Sequence, residues 1–483
     1  MLKIRKSVLL ILTGLLIVTL LSAVGFSAKK PVSLTICMPN WGGSNDPGLM
    51  EEVRKYVEKQ TNTSIKMIAP PMNTYSDKIN VLLASGDVPD VFRITKAMVN
   101  VNTFTQRGYL ADLSKYVKKK AFNEIDRKYF DYMKVNGVVR AIPMMQENEK
   151  VLWMRQDLLD QYGVKLSSTP TTEEFYTELK KVKGRIPFTF PKFLDNLPFF
   201  YSSFGAYDEF VKDKKGKYYD AFNTSEMKEC LKYLNKLYAD GILDKEFPTN
   251  DNTVLRNNLI SGKAAINIDY DVRYFYYLTE IERMDPNVKP VLKPIFKLVG
   301  PRGQGGTLNE ACSDAYGVSA KCKDPQKAVD VIAWMYYTAD GLKAMRVGLP
   351  GKHFVIENGQ GKLTPQAESG GQSLDLTQLM KMHVPFEKID FGFTFPNEEK
   401  MKNYYNLVKD ISKHTGPKHI ISLGQSEIYD RVGPSLVRKR QELALKMIIG
   451  VASIEDGFKE YDAFFKSING DQLLKELNTK KRI

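Results

Sequence analysis

Val32-Ser-Leu-Thr-Ile-Cys-Met38 alternates along its length, is rich in strand formers and stops at Pro39-Asn-Trp41-Gly-Gly43. Pro47 then opens a stretch with Met50, Val53, Tyr56 and Val57 at helical spacing. After the turn signal Thr61-Asn62-Thr63 comes a second strand-like run, Ser64 to Ala69. A further helix from Tyr75 to Ser85 ends at Gly86, and Val88-Pro-Asp-Val-Phe92 reads as another short strand. Strand, helix, strand repeated in this way builds an open α/β sheet with parallel pairing. The first strand then delivers Trp41 to a loop beyond its carboxyl end.

Upstream of this unit, Lys3, Arg5 and Lys6 precede an apolar run from Val8 to Leu21, which closes on Ser22, Ala23, Gly25, Ser27 and Ala28. Charged, apolar and small residues in that order predict a signal peptide over 1–28, and hence a protein exported to the periplasm or the cell surface. The alternative outcome is an uncleaved N-terminal membrane anchor, because the run approaches the roughly 20 residues that span hydrocarbon. The first cysteine, Cys37, lies beyond the run and inside a strand, a poor place for a lipid.

The remaining chain of about 455 residues exceeds what one hydrophobic core organises, so two lobes are expected. With 43% hydrophobic and 26% charged residues, the composition is ordinary for a globular protein. Net charge is +14, and loss of Lys3, Arg5 and Lys6 with the signal leaves +11. That balance favours anionic contacts without choosing among a wall, a membrane surface and an acidic ligand. Nucleic acid is not expected, since Lys118-Lys119-Lys120, Arg438-Lys439-Arg440 and Lys480-Lys481-Arg482 stand in no binding motif. Cys37, Cys230, Cys312 and Cys322 lack zinc-site spacing and are expected as buried thiols, with Cys312 and Cys322 the one pair close enough in sequence to tempt a disulfide.

Further along, Gly137 to Pro143 leads into Val151-Leu-Trp-Met-Arg155, and Thr171-Thr-Glu-Glu174 supplies a helix start of the capping-box type. Thr224 to Asp240 carries Met227, Leu231, Leu234 and Leu237 on one face. Gly262 to Ile268 reads as a strand whose end presents Asp269-Tyr-Asp-Val-Arg-Tyr274. Val299-Gly-Pro-Arg-Gly-Gln-Gly-Gly306 predicts a flexible crossing between lobes; it lacks the Lys-Ser/Thr of a phosphate loop. The tail from about Glu398 to Asn478 is expected to be helical.

The order of these landmarks resembles the extracellular solute-binding proteins of carbohydrate ABC importers (family 1, in its larger lipoprotein-like branch). The likeness is carried by Tyr75 to Phe92, Gly108-Tyr-Leu-Ala-Asp-Leu113, Arg155-Gln-Asp157, Thr171 to Tyr176, Tyr233 to Phe247, Ser261 to Ile266, Phe391 to Phe395 and Lys446 to Asn478. It implies an α/β, two-lobed periplasmic-binding-protein type II fold with a hinge and additional C-terminal helices. On that reading 29–147 begins the N-terminal lobe, 148–304 begins the C-terminal lobe, 305–355 returns to the first, and 356–483 completes the second. It also implies an oligosaccharide ligand, ABC permease subunits as partners, a monomer, no cofactor and no catalysis. Many relatives carry an acidic, EF-hand-like calcium loop before the Ile-Pro step of the second lobe. The equivalent Lys180-Lys-Val-Lys-Gly-Arg-Ile-Pro187 offers lysines instead, so no metal is expected.

Sugar sites combine stacking aromatics with planar hydrogen-bonding groups, placed beyond the carboxyl ends of strands. Trp41 meets that condition, with a loop residue packed on its own lobe as the plainer alternative. Arg93 follows Val91-Phe92; Glu147 and Asn148 lie beside the first crossing; Asp269, Tyr270, Asp271 and Arg273 follow the Ile266-Asn-Ile268 strand, unless Asp269 merely caps a helix. Trp334 and the Phe391/Phe393 pair are expected in the core. The rival class is a glycan-cleaving enzyme using Asp269/Asp271 or Glu398/Glu399 as acid and base, and a peptide is the alternative cargo. The basic balance hints at an acidic saccharide.

Overall fold

The computed structural model describes residues 30–39, 47–71, 74–95, 97–118, 120–123, 127–145, 150–192, 194, 197–309, 312, 314–346, 348–357, 360–364, 403, 406–407, 410, 412–417 and 426–479. Trp41, Glu147, Asn148, Phe391, Phe393, Glu398, Glu399 and the signal segment lie outside the described residues. In chain order, the elements that build the two sheets and their covering helices begin with β1 (Val32–Cys37), α1 (Pro47–Thr61), β2 (Thr63–Ile68), α2 (Tyr75–Ser85), β3 (Val91–Thr95), β4 (Ala141–Met145) and β5 (Lys150–Arg155). They continue with α3 (Thr172–Leu179), β6 (Ile186–Thr189), α4 (Ser225–Ala239), α5 (Asn252–Ile260), β7 (Ala264–Tyr270), α6 (Tyr274–Met284), β8 (Leu292–Ile295) and β9 (Thr307–Asn309). After β10 (Asp314–Val318), α7 (Pro325–Tyr337) and β11 (Thr415–Pro417), the chain ends in α8 (Glu427–Ile448), α9 (Ile454–Ser467) and α10 (Gly470–Thr479).

The first sheet runs β2-β1-β3-β10-β4. β1 pairs in parallel with both β2 and β3, and β10 lies antiparallel between β3 and β4. Its alternating side chains divide as period two requires. Leu34, Ile36, Val91, Ile142 and Tyr316 join one buried cluster with residues of α7, whereas Cys37, Phe92 and Ile94 pack with Tyr75, Ile79 and Leu83 of α2. β3 begins three residues later than Val88-Pro-Asp-Val-Phe92 suggests. Pro89 has no N–H to give a ladder, and the Asp90 carboxylate instead accepts the Thr35 N–H at 2.8 Å.

The second sheet runs β8-β5-β7-β6, with β5 antiparallel to both β8 and β7 and β6 parallel to β7. One face places Leu152, Met154, Ile266 and Ile268 against Phe175, Leu231, Leu234 and Met447, so the C-terminal helices form an added layer there. Thr171 accepts the Glu174 N–H at 3.0 Å while Glu174 accepts the Thr171 N–H at 2.7 Å, completing the expected capping box at α3. All four cysteines are free and buried, and Cys312 and Cys322 lie in different apolar clusters.

The glycine-rich stretch 300–306, expected as a flexible crossing, is exposed at 301–303 and closely packed at its two ends. A Cβ on Gly300 would lie 1.4 Å from the Ser203 carbonyl oxygen, and one on Gly306 would lie 2.4 Å from that of His414. These glycines serve backbone contact. Directly after them, β9 pairs in parallel with β11, Thr307 opposite Thr415, so two distant segments run side by side. The His414 ring stacks on Phe296 next to this ladder, with centroids 5.4 Å apart.

Candidate functional site

The carboxyl ends of β1 and β3, the start of β10 and the end of β4 lie at one edge of the first sheet, where Asp314 stands opposite both Thr95 and Met145. Met145 and Lys150 are five residues apart and so lie within about 18 Å of each other even when the chain is extended. Across that short link, Lys150 opens β5 directly opposite Tyr270, the last residue of β7. The ligand-facing ends of both sheets therefore converge on the first crossing, the position expected for a binding cleft in open α/β sheets.

On the first sheet, Arg93 is 3% exposed and its guanidinium meets the Asp314 carboxylate at 2.5 Å. It lies inside β3 and does not follow it. The Tyr75 hydroxyl braces the same strand end, donating to the Arg93 carbonyl at 2.7 Å. Burial pushes that phenol well above its ordinary pKa, so it remains a donor.

On the second sheet, β7 ends two residues later than the Gly262–Ile268 reading, because Asp269 and Tyr270 keep pairing with Val151 and Lys150. That shift decides their roles. Asp269 points inward at 3% exposure, accepting Arg256 Nε at 2.8 Å, the Tyr277 hydroxyl at 2.7 Å and the Tyr270 N–H at 2.8 Å. Asn267 donates to the same Tyr277 oxygen at 2.8 Å. Burial, joined by the Asp269 charge, raises the Tyr277 phenol well above its usual pKa and keeps it a donor in this network. Asp271 is fully buried at the start of a single 3-10 turn, Asp271–Arg273. Neither carboxylate presents the open face that an acid or base of glycan cleavage needs.

Tyr270 and Arg273 remain half-buried at the convergence. The Lys150 ammonium lies 4.1 Å from the centre of the Tyr270 ring, and the Arg273 guanidinium 5.6 Å from that of Tyr276. Behind them Trp153, fully buried, donates its indole N–H to the Tyr270 carbonyl at 3.2 Å and leans on Tyr274. Lys150 is thus a site-building residue that the chain pattern left unmarked, while Trp153, which the pattern left undecided, is buried behind the site; both find their partners through strand register. A cavity of about 360 Å³ extends away from this point along α6 and edge strand β8, lined by Tyr274, Leu278, Glu282, Val291, Lys293 and Leu407. Trp334, expected in the core, is only partly buried and sits at the rim of its cluster beside Tyr56.

A family model described as bacterial extracellular solute-binding protein matches residues 42–340. Lipoprotein LipO of Bacillus subtilis (strain 168) is 23% identical, over 95% of this chain and 93% of the relative. The polygalacturonan/rhamnogalacturonan-binding protein YtcQ of the same organism is 28% identical, over 44% of this chain and 45% of its own length. Among solved structures, the alginate-binding protein AlgQ2 without calcium ion superposes with a TM-score of 0.67 at 19% identity, over 93% of this chain and 98% of that one. That likeness is one of fold, the two-lobed periplasmic-binding-protein type II architecture.

The turn after α3, where the calcium loop of relatives is expected, does not fit a divalent cation. Lys180 Nζ lies 3.2 Å from the Tyr176 hydroxyl, Lys236 Nζ lies 3.0 Å over the Tyr176 ring, and Arg185 donates to the Gly262 carbonyl at 2.5 Å. Ammonium and guanidinium groups occupy the turn, whereas calcium takes six to eight oxygens. We expect the thermal midpoint to agree within about 1 °C between calcium and EDTA, since a ligand that does not bind the native state cannot stabilise it. A calcium-dependent rise in differential scanning fluorimetry would contradict this.

Proposed function

The chain belongs to the bacterial extracellular solute-binding protein family, and we propose on that premise that it captures an oligosaccharide between its lobes and hands it to an ABC permease. The convergence of both sheets' ligand-facing ends on one crossing, with half-buried Tyr270 and Arg273 there, is the observation that carries this reading. A tyrosine ring offers a sugar its apolar face, and a guanidinium offers fixed donors to hydroxyls. YtcQ and AlgQ2, named as polysaccharide binders, support the cargo class.

Within this proposal Trp41, Glu147 and Asn148 complete the cleft with Tyr270 and Arg273, while Arg93, Asp269 and Asp271 act from behind as buried supports. Residues 29–147 and 305–355 make one lobe, and 148–304 with 356–483 the other. The protein works as an exported monomer after loss of residues 1–28. Cys37 is fully buried at the carboxyl end of β1, between its two neighbouring strands, so acylation there would disrupt the sheet. Ligand held on one lobe gains contacts with the other only when they close, and that differential affinity drives closure.

A saccharide supplied at 100 times its Kd is expected to stabilise the native state by about 2.7 kcal/mol, visible as a raised thermal midpoint across a panel of oligosaccharides. The same ligand should compact the protein in small-angle scattering. Absence of any saccharide response, repeated by calorimetry, or a response to peptides alone, would overturn the reading.

A further inference from the structure

The charge arrangement at the convergence goes further than saccharide capture, though it rests on that reading of the site. Three described carboxylates there are withdrawn. Asp269 is clasped by Arg256 at 2.8 Å, Asp314 by Arg93 at 2.5 Å, and Asp271 is fully buried. The cations at the same place are disposed differently. Lys150 and Arg273 are half-buried, and each lies over a tyrosine ring. Arg273 has no carboxylate within ion-pair distance among the described residues, and its Nε is a buried donor without a hydrogen-bond partner there. An unmet guanidinium donor beside aromatic faces, with the neighbouring carboxylates neutralised or turned inward, is a site prepared for an anion carried on a ring.

We infer that the ligand is an acidic saccharide, a chain of uronic acid units, with one carboxylate held by Arg273 and assisted by the Lys150 charge. The planar guanidinium suits a carboxylate in bidentate fashion, and Tyr270 and Tyr276 offer apolar surface to adjoining rings. A neutral sugar would leave the Arg273 donors to hydroxyls alone, which form weaker bonds to a cation than a carboxylate does.

Calorimetry on the full-length mature protein tests this with oligogalacturonate, oligomannuronate and the same chains after reduction of each carboxyl group to an alcohol. The acidic form of at least one chain is expected to bind about tenfold or more tightly than its reduced counterpart, a preference that fades as salt rises. Arg273→Gln and, separately, Lys150→Gln should each lower that acid-to-neutral ratio several-fold, and Arg273→Lys should restore part of it. Thermal midpoints of the variants identify any that fail to fold. Equal affinity for acidic and reduced chains, or binding of neutral saccharides only, overturns the inference and leaves saccharide capture standing. Binding of no saccharide at all overturns the reading on which it rests.

Discussion

Replacing Arg440 by methionine is expected to destabilise the protein by about 3–5 kcal/mol, the largest effect we anticipate from a single substitution. Arg440 comes from α8 and is 4% exposed. Its guanidinium meets the Asp220 carboxylate at 2.7 Å, the Asp208 carbonyl at 2.7 Å and the Tyr461 hydroxyl at 2.9 Å. Tyr461 in turn donates to the other Asp220 oxygen at 2.6 Å, and the charge sits 4.8 Å from the centre of the Phe210 ring. Methionine replaces the volume but strands a buried carboxylate and a carbonyl. The double variant Arg440→Met/Asp220→Asn should recover a substantial part of the loss, because it removes the stranded charge as well. Urea unfolding of the single and double variants measures both numbers. A loss below about 1 kcal/mol for the single variant would show that the C-terminal layer is held by its apolar contacts alone.

Trp153→Ala is expected to cost a comparable amount, about 3–5 kcal/mol, by opening a cavity at the centre of the second sheet. Its functional effect should exceed its share of stability. The indole N–H is the bond that holds the Tyr270 carbonyl, and the ring backs Tyr274, so the whole turn from Tyr270 to Tyr274 loses its support. Trp153→Phe separates the two effects. It keeps most of the bulk and removes the donor, so stability should fall by roughly 1 kcal/mol while saccharide affinity weakens several-fold. Unfolding curves read alongside calorimetry distinguish them; a Phe variant that binds as tightly as the native protein would assign Trp153 to packing alone.

These two residues also mark the limit of what periodicity reveals. The strands β1 and β2, helix α2, the amphipathic α4 and the Thr171 capping box are legible because each depends on residues a few positions apart. The boundaries of β3 and β7 were legible only to within two or three residues, and that margin mattered. A strand two residues longer moves Asp269 from the ligand's side into a network with Arg256 and Tyr277, while Tyr270 stays at the rim.

By itself, then, the sequence determined an exported-type leader pattern, an α/β chain large enough for two lobes, and through its order of landmarks the solute-binding family. Local backbone preference and apolar spacing suffice for the folded elements. Only the tertiary structure decided that Lys150 stacks on Tyr270, that Arg93 is spent on Asp314, and that Arg440 closes over Asp220. Those pairs lie more than 100 residues apart in the chain. Their meeting is set by strand register and helix packing, which combine the free energies of the whole core and leave no mark in any single short segment.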